Sequence, residues 1–175
     1  LLTPDWLVSS TLAQLPLDPL QERGIRALVL DVDRTILPRR QSAMPPSAEQ
    51  WLRHAASRMP IHLLSNNPSR RRICGVAETL GVPFTTSAGK PRRSALRRVL
   101  DELSIAPEHV ALVGDRIFTD VLVGNRLGLF TVLVRPIDPL GLPCRHDRWQ
   151  TLELRLAALV GGGGARTGIP DPEVR

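Results

Sequence analysis

The chain has 175 residues, of which 42% are hydrophobic and 23% are charged, a balance that indicates one globular domain and excludes a disordered protein. Two cysteines are too few for a disulfide-rich scaffold or a four-cysteine zinc site. The net charge is +6, with arginine supplying every basic residue except Lys90, and no apolar run approaches the roughly 18–20 residues that cross a bilayer.

Residues 1–24 mix proline, leucine and tryptophan without a clear period, and we assign them to an N-terminal extension. After this extension, short apolar runs rich in Val, Leu and Ile alternate with segments of helical period. The runs are typical of buried parallel strands and cover residues 27–30, 61–64, 84–86, 110–113 and 130–134. The predicted helices cover residues 47–58, 68–80, 92–103, 118–127 and 149–160.

This alternation predicts one α/β domain over residues 25–160, with a doubly wound, Rossmann-like parallel sheet that is covered on both faces. The segment 161–175 begins with four glycines and contains proline, so we predict a disordered tail there. Ligands of such sheets bind beyond the carboxyl ends of the strands. The residues that follow each strand are therefore the candidates for a functional site.

Polar side chains of complementary chemistry follow four of the predicted strands. They are, in chain order, Asp31 and Asp33, Ser65 and Asn66, Lys90, and Asp115 and Asp120. Any one of them alone is typical of a turn residue, a helix cap or the surface. Together at one edge of one sheet they favour a site, because two carboxylates directly after a buried strand repel each other unless a cation or a substrate uses them.

This set of groups suits phosphoryl transfer through an aspartyl phosphate. One carboxylate attacks phosphorus, while a second carboxyl group protonates the leaving oxygen and then deprotonates water. A hard cation such as Mg²⁺ binds carboxylate oxygens. A hydroxyl, backbone amides and a lysine stabilise the charge on the equatorial phosphoryl oxygens.

Four short motifs resemble motifs I to IV of the haloacid dehalogenase (HAD) superfamily of phosphatases. They are DVDRT at residues 31–35, Ser65, Lys90 with Pro91, and GDRIFTD at residues 114–120. Residues 112–128 more narrowly resemble the YqeG family, a capless branch of HAD subfamily IIIA that is similar to the mitochondrial phosphatidylglycerophosphatase of fungi. The resemblance extends over about residues 20–140.

The resemblance implies a role for each residue of motif I. Asp31 resembles the nucleophile and a metal ligand, and Asp33 resembles the general acid and base, with its backbone carbonyl on the metal. Thr35 would steady the loop. Arg34 departs from the pattern, because relatives often have a small or amide residue at this position, and its effect on the phosphate pocket stays open.

The other motifs supply the phosphate and metal ligands that the resemblance implies. Ser65, Asn66 and Lys90 would bind the phosphoryl oxygens. Asp115 would bind Mg²⁺, and Asp120 would complete or orient the metal shell. The implied cofactor is therefore Mg²⁺, held by Asp31, Asp33, Asp115 and Asp120.

The segments that carry cap domains in HAD enzymes hold only a loop, single helices and one short strand here, which predicts an open site for a phosphate on a large substrate. Several arginines follow motifs I to III and form what we call the arginine rim: Arg39, Arg40, Arg70, Arg71, Arg72, Arg92 and Arg93. Cations near helix N-termini are disfavoured by a few tenths to ~1 kcal/mol, so the arginines after motifs II and III indicate a function, while a merely solvated basic face stays open as an equal alternative. Only 3% of residues are aromatic, which disfavours a nucleic-acid partner.

Several functions remain open at this point. We expect a Mg²⁺-dependent phosphatase of a phosphorylated substrate at an anionic membrane surface, with phosphatidylglycerophosphate as the substrate that the resemblance favours. The alternatives are a phosphatase of a soluble phosphosugar or phosphoprotein, and a non-catalytic HAD-fold binding or assembly module, which the intact Asp31 and Asp33 disfavour. A response-regulator receiver is excluded by the order of its residues. A receiver has its lysine after all of its functional aspartates, whereas here Lys90 precedes Asp115. We expect a cytoplasmic protein with peripheral membrane contact, and the oligomeric state stays open.

Overall fold

The computed structural model of the protein describes residues 1–144, 147–162, 164–166 and 169. The strands are β1 (Trp6–Leu7), β2 (Ala27–Leu30), β3 (Ile61–Leu64), β4 (Phe84–Thr85), β5 (Val110–Gly114) and β6 (Phe130–Leu133). The helices are α1 (Asp18–Glu22), α2 (Pro46–Arg58), α3 (Arg70–Leu80), α4 (Ser94–Leu103), α5 (Leu122–Leu127) and α6 (Arg148–Leu159). A π-helical turn, Ile117–Val121, precedes α5.

The six strands form one sheet in the order β1-β6-β5-β2-β3-β4, and every pair is parallel. The pleat of β2 sends Leu28 and Leu30 into the core layer of α2 and α3, whereas Ala27 and Val29 pack in the layer of α4. Both faces of the sheet are therefore covered. The predicted α/β doubly wound fold is confirmed.

Residues 1–24 belong to the same layer architecture as the rest of the chain. Trp6 pairs with Val132, so β1 adds an edge strand beside β6. Leu12, Leu15 and Leu20 are buried in the core cluster of α2 and α3, and the Trp51 indole donates a hydrogen bond to the Leu15 carbonyl at 2.7 Å. The segment that the sequence leaves as an extension thus closes one edge and one face of the sheet.

The predicted helices differ from the observed ones at their starts, by one residue for α2 and α6 and by two residues for α3 and α4. The helix predicted from residue 68 begins at Arg70, because Pro68 and Ser69 lie in the loop after β3. The segment predicted as one helix over 118–127 is a π-helical turn followed by α5. Residues 31–83, all of which the structure describes, hold a loop, α2, β3 and α3, with no cap domain.

The predicted tail of residues 161–175 falls partly outside the described residues, which omit 163, 167–168 and 170–175. Within the described part, the Arg166 amide donates to the Pro4 carbonyl at 2.9 Å, and its guanidinium pairs with Asp5. None of the helices in the described part of the chain combines the length and hydropathy of a membrane span.

Candidate active site

The loops after β2, β3, β4 and β5 bring the motif residues together at the carboxyl edge of the sheet. Asp31 directly follows the central strand β2, and its backbone amide donates to the Val113 carbonyl of β5 at 2.9 Å. The pairing of the two strands thus continues one residue into motif I. This fixes the backbone of Asp31 at the point where a parallel sheet binds its ligands.

Lys90 lies at the centre of the site with its ammonium group buried. Its Nζ donates to Asp31 Oδ1 at 2.6 Å, to Asp120 Oδ1 at 2.6 Å and to the Leu64 carbonyl at 2.9 Å. Burial alone would lower the pKa of Lys90, but the carboxylates of Asp120 and Asp31 outweigh it and raise the pKa above its ordinary value. All three ammonium hydrogens are engaged, so a phosphate oxygen must replace one of these partners to reach Lys90.

Three buried carboxylates face one another around this lysine. Asp31, Asp115 and Asp120 each offer an oxygen atom within 4.8 Å of the others. Burial raises the pKa of Asp31 to about 7, with Lys90 opposing and Asp120 adding to the rise. Burial, reinforced by the charges of Asp31 and Asp120, also raises the pKa of Asp115 well above its ordinary value. One ammonium group cannot neutralise three ionised carboxylates, so the cluster either takes up protons, as the raised pKa values indicate, or binds a cation.

The carboxylate cluster fits a hard divalent cation. Its donors are all oxygen atoms, which Mg²⁺ prefers. Asp115 Oδ2 is buried, and no donor in the described part of the chain makes a hydrogen bond to it, the nearest cation being Arg34 Nε at 3.7 Å. A buried carboxylate oxygen without a hydrogen bond is costly unless a ligand uses it.

Asp33 lies outside the carboxylate cluster and belongs to a second group of contacts. Its side chain is 34% exposed and accepts hydrogen bonds from Ser65 Oγ at 2.8 Å and Asn67 Nδ2 at 3.1 Å. Arg72 Nε lies 3.3 Å from Asp33 Oδ1. A partly exposed carboxyl group with access to the opening of the site suits proton transfer to and from a substrate.

The remaining predicted contacts divide between the two groups. The Thr35 hydroxyl donates a hydrogen bond to Asp31 Oδ2, with 3.4 Å between the two oxygen atoms. The Asn66 side chain clamps the backbone of Lys90, because its Oδ1 accepts from the Lys90 amide at 2.7 Å and its Nδ2 donates to the Lys90 carbonyl at 3.0 Å. The structure therefore places Asn66 as a positioning residue for Lys90, with both polar atoms of its side chain already engaged.

Arg34 connects motif I to the last helix. Its φ of 70° is left-handed, a conformation that is costly for a residue with a side chain and is held here by hydrogen bonds to Leu37 and Ile137. Its guanidinium contacts Asp115 and pairs with Asp147, which caps the N-terminus of α6. Arg34 thus supplies positive charge at the Asp115 side of the carboxylate cluster.

Sequence reasoning missed two buried polar residues of α6 that support the loop after β5. Gln150 Nε2 donates to the Asp115 carbonyl at 2.9 Å and to the Val134 carbonyl at 2.8 Å. Glu153 accepts from Arg116 Nε at 2.6 Å and from the Ile117 amide at 2.7 Å. Their spacing of three residues on a helix is the signal that would have indicated a shared face.

Position 114 requires a glycine because the chain after β5 folds back against it. The π-helical turn folds Asp120 back over this residue, and a Cβ at Gly114 would lie 2.4 Å from Asp120 Cγ. Asp120 Oδ2 also accepts from the Arg116 amide at 3.2 Å. The glycine of the fourth motif therefore makes room for one of the three clustered carboxylates.

The arginine rim divides in the structure. Six of its members are exposed, namely Arg39, Arg40, Arg70, Arg71, Arg92 and Arg93. Arg70 also lies over the Phe84 ring, with 4.9 Å from its guanidinium carbon to the ring centroid. Arg72 differs, because its side chain is only 12% exposed and contacts Asp33 and the Pro38 carbonyl inside the site.

Comparison with known proteins agrees with this geometry. The HAD-hydrolase-like family model matches residues 87–136. The Bacillus subtilis protein named "Probable phosphatase YqeG" is 31% identical over 135 residues, which cover 77% of each chain. The mitochondrial phosphatidylglycerophosphatase GEP4 of Saccharomyces cerevisiae is 29% identical over 145 residues, which cover 74% of this chain and 76% of the yeast protein.

Solved structures share the fold. A HAD subfamily III A hydrolase from Legionella pneumophila superposes with a TM-score of 0.52 at 15% identity, covering 78% of this chain and 86% of its own. The 3-deoxy-D-manno-octulosonate 8-phosphate phosphatase of Yersinia pestis superposes with a TM-score of 0.54 at 21% identity. The match covers 87% of this chain and 77% of the Yersinia chain. These structures show the shared fold, and the 31% identity to the Bacillus protein establishes that the chain belongs to the YqeG family of HAD-type phosphatases.

Proposed function

We propose that the protein hydrolyses phosphomonoesters with Mg²⁺ through an aspartyl phosphate, an acyl phosphate formed on Asp31. The observation that carries the proposal is the buried Asp31 carboxylate, which follows the central strand, contacts Lys90 and faces Asp115 and Asp120. Asp31, Asp115 and Asp120 would hold Mg²⁺, joined by the Asp33 backbone carbonyl. When bound, Mg²⁺ would offset the negative charge of the phosphoryl group.

In the first step an Asp31 carboxylate oxygen forms a bond to phosphorus as the bond from phosphorus to the ester oxygen breaks. Protonated Asp33 gives its proton to that leaving oxygen, and the alcohol departs. In the second step Asp33 takes a proton from water, whose oxygen attacks the phosphorus. The bond from phosphorus to the Asp31 oxygen breaks, inorganic phosphate leaves, and the Asp31 carboxylate is restored.

Other side chains hold these groups in place. The contacts of Ser65 and Asn67 fix the Asp33 carboxyl group, and Arg72 adds a positive charge beside it. Lys90 fixes Asp31 and offsets the charge that gathers on the phosphoryl oxygens. In this proposal Lys90 exchanges one carboxylate partner for a phosphoryl oxygen as the phosphate enters.

The decisive experiment compares wild type with Asp31→Asn on a panel of phosphomonoesters in Mg²⁺ and in EDTA. Asp101→Asn, at an exposed position of α4, is the matched control. We expect Mg²⁺-dependent turnover by wild type and the control, and none by Asp31→Asn. Normal turnover by a folded Asp31→Asn protein would contradict the mechanism, and inactivity of wild type on every ester would favour the non-catalytic module.

For the substrate we propose a phosphate carried by an anionic membrane, with phosphatidylglycerophosphate as the specific candidate. Three observations support it: the fungal relative's name, the absence of a cap domain in residues 31–83, and the exposed arginines around the opening. A relative from Chlamydomonas reinhardtii, 27% identical, is named a chloroplastic phosphatidylglycerophosphate phosphatase, and this chain spans 49% of its length. Each arginine near an anionic bilayer contributes about 1 kcal/mol.

The membrane substrate is tested by kinetics on vesicles and on p-nitrophenyl phosphate, at low and high salt. Arg70→Ala/Arg71→Ala is the informative variant, because the neighbouring Arg72 contacts Asp33 and would disturb the site itself. We expect salt and the double variant to raise the apparent KM for the vesicle substrate far more than for the small ester. Vesicle turnover that ignores salt would indicate a soluble phosphosugar or phosphoprotein instead.

A further inference from the structure

Two exposed leucines lie beside the active site on a turn that follows β6. Leu140 is 78% exposed and Leu142 is 57% exposed. We call residues 138–142 the leucine turn. Because β6 is parallel to the other strands, the turn lies at the same carboxyl edge of the sheet as Asp31 and Lys90. Leucines exposed to this extent at a functional edge indicate a surface that contacts something apolar.

The leucine turn is held rigidly by its own backbone. The Asp138 amide donates to the Leu142 carbonyl at 2.8 Å, and the Gly141 amide donates to the Asp138 carbonyl at 3.0 Å. Asp138 Oδ1 accepts from the amides of Leu140 at 2.8 Å and Leu142 at 2.9 Å. The two leucines are therefore presented outward by a fixed turn, and contact with a partner costs little ordering of the chain.

The same turn is attached to the catalytic loop. The Ile137 amide donates to the Arg34 carbonyl at 2.8 Å, next to Asp33. On its other side Gly141, with a φ of 79°, packs so closely that a Cβ would lie 2.8 Å from Pro45 Cβ. Pro45 ends the loop that carries Arg39 and Arg40. The turn is thus fixed between motif I and the arginines that follow it.

Exposed arginines lie at the same edge of the sheet as the two leucines. The exposed members of the arginine rim lie on the loops and helix starts of this edge, and Arg148 and Trp149 are exposed at the start of α6. The single carboxylate of the leucine turn, that of Asp138, is occupied by backbone amides. An apolar tip amid arginines is complementary to an anionic bilayer, whose headgroups take the cations while its acyl layer takes the leucines.

We propose that the leucine turn inserts Leu140 and Leu142 into an anionic lipid bilayer and thereby holds the active-site opening against the membrane surface. The proposal rests on the lipid substrate proposed above and adds the element that penetrates the bilayer. Trp149, on the same edge, lies at the height of the headgroups, where tryptophan is favoured.

The experiment measures binding to phosphatidylcholine vesicles with and without phosphatidylglycerol, by co-sedimentation and by tryptophan emission. Trp149 is 60% exposed, whereas Trp6 and Trp51 are buried, so a blue shift reports on the active-site edge. Leu140→Ser/Leu142→Ser is compared with a matched control, Leu156→Ser/Leu159→Ser, which changes two exposed leucines farther along α6. Sedimentation velocity gives the oligomeric state of each protein.

We expect wild type and the control to bind anionic vesicles with a blue shift, and the leucine-turn variant to bind at least about tenfold more weakly. Equal binding by all three proteins would overturn the proposal, as would a loss confined to the α6 variant. A dimer that the leucine-turn variant dissociates, with vesicle binding unchanged, would assign the turn to a second copy of the chain and also overturn it. If the leucine-turn variant lost p-nitrophenyl phosphate turnover to the same extent as vesicle binding, the substitutions would have disturbed the active site itself, and insertion would be refuted.

The two proposals fail separately. Leucine-dependent vesicle binding without hydrolysis of phosphatidylglycerophosphate would contradict the proposed substrate and leave the insertion standing. Hydrolysis of the vesicle substrate at equal rates by wild type and both variants would support the substrate and contradict the insertion.

Discussion

Removing the charge of Asp31 is expected to stabilise the metal-free protein while it abolishes catalysis. In the folded chain the carboxylates of Asp31 and Asp120 share the ammonium of Lys90, and an oxygen atom of Asp115 lies within 4.8 Å of both carboxylates. Burial raises the pKa of Asp31 from 3.8 to about 7, so the folded state favours the protonated form. Asp31→Asn has nearly the shape of that protonated form, and its amide oxygen still accepts from Lys90.

The sign of the pH dependence follows from the raised pKa of Asp31. Below pH 3.8 the Asp31 carboxyl group is protonated in both the folded and the unfolded state, so it does not lower the free energy of unfolding. The free energy of unfolding then falls as the pH rises from 3.8 towards and through about 7. At about 1.4 kcal/mol per pKa unit, the raised pKa of Asp31 lowers the free energy of unfolding by about 4 kcal/mol at pH 8 and by about 2 kcal/mol at pH 5. Asp31→Asn should recover these amounts.

Urea unfolding in EDTA at pH 5 and pH 8 measures this gain, with Asp101→Asn as the control for the substitution itself. We expect Asp31→Asn to raise the free energy of unfolding at both pH values, and by about 2 kcal/mol more at pH 8 than at pH 5. Asp101→Asn should change it little. A variant less stable than wild type at pH 8, or a gain independent of pH, would refute the electrostatic account of the site.

Three further predictions concern the proton donor, the metal and the turn after β5. Asp33→Asn should lower kcat about 10²–10⁴-fold for esters with poor leaving groups and less for p-nitrophenyl phosphate, and an equal rate on poor leaving groups would remove Asp33 from proton transfer. Mg²⁺ should raise the thermal midpoint of wild type and leave that of Asp115→Ala unchanged in a melting series against EDTA, whereas an equal shift in both would place the cation elsewhere. Gly114→Ala should cost about 1–3 kcal/mol in urea unfolding, since its Cβ would displace Asp120, and wild-type stability would contradict the close approach.

The central part of the fold is predictable because each buried strand carries its own signal. The four-residue runs of β2 and β3 are wholly apolar or nearly so, and Asp31 follows β2 while Pro60 precedes β3. Edge strand β1 has only Trp6 and Leu7, too few residues to show a period. β1 is a strand because it pairs with β6, which lies far along the chain. A local sequence pattern carries no information about such a distant partner.

The candidate site shows a similar limit. Its residue types are predictable because strand ends are ligand positions in a parallel sheet, and the structure brings Asp31, Lys90 and Asp115 to one place. The spacing of these residues in the sequence does not predict the direction in which each side chain points. Asn66 turns to the Lys90 backbone, and Arg72 turns inward to Asp33, because tertiary contacts decide where long or amide side chains point.

The pairing of β1 with β6 also has a consequence for the order in which the chain assembles. Asp5 and Thr131 are 126 positions apart, and the Asp5 amide donates to the carbonyl and the hydroxyl of Thr131 beside this pair. At about 5–20 residues per second, a ribosome needs roughly 6–25 s between the two. Throughout that interval Trp6 has no strand to join, while β2 and β3 can already pair across α2. The strand that is made first is therefore among the last to enter the sheet.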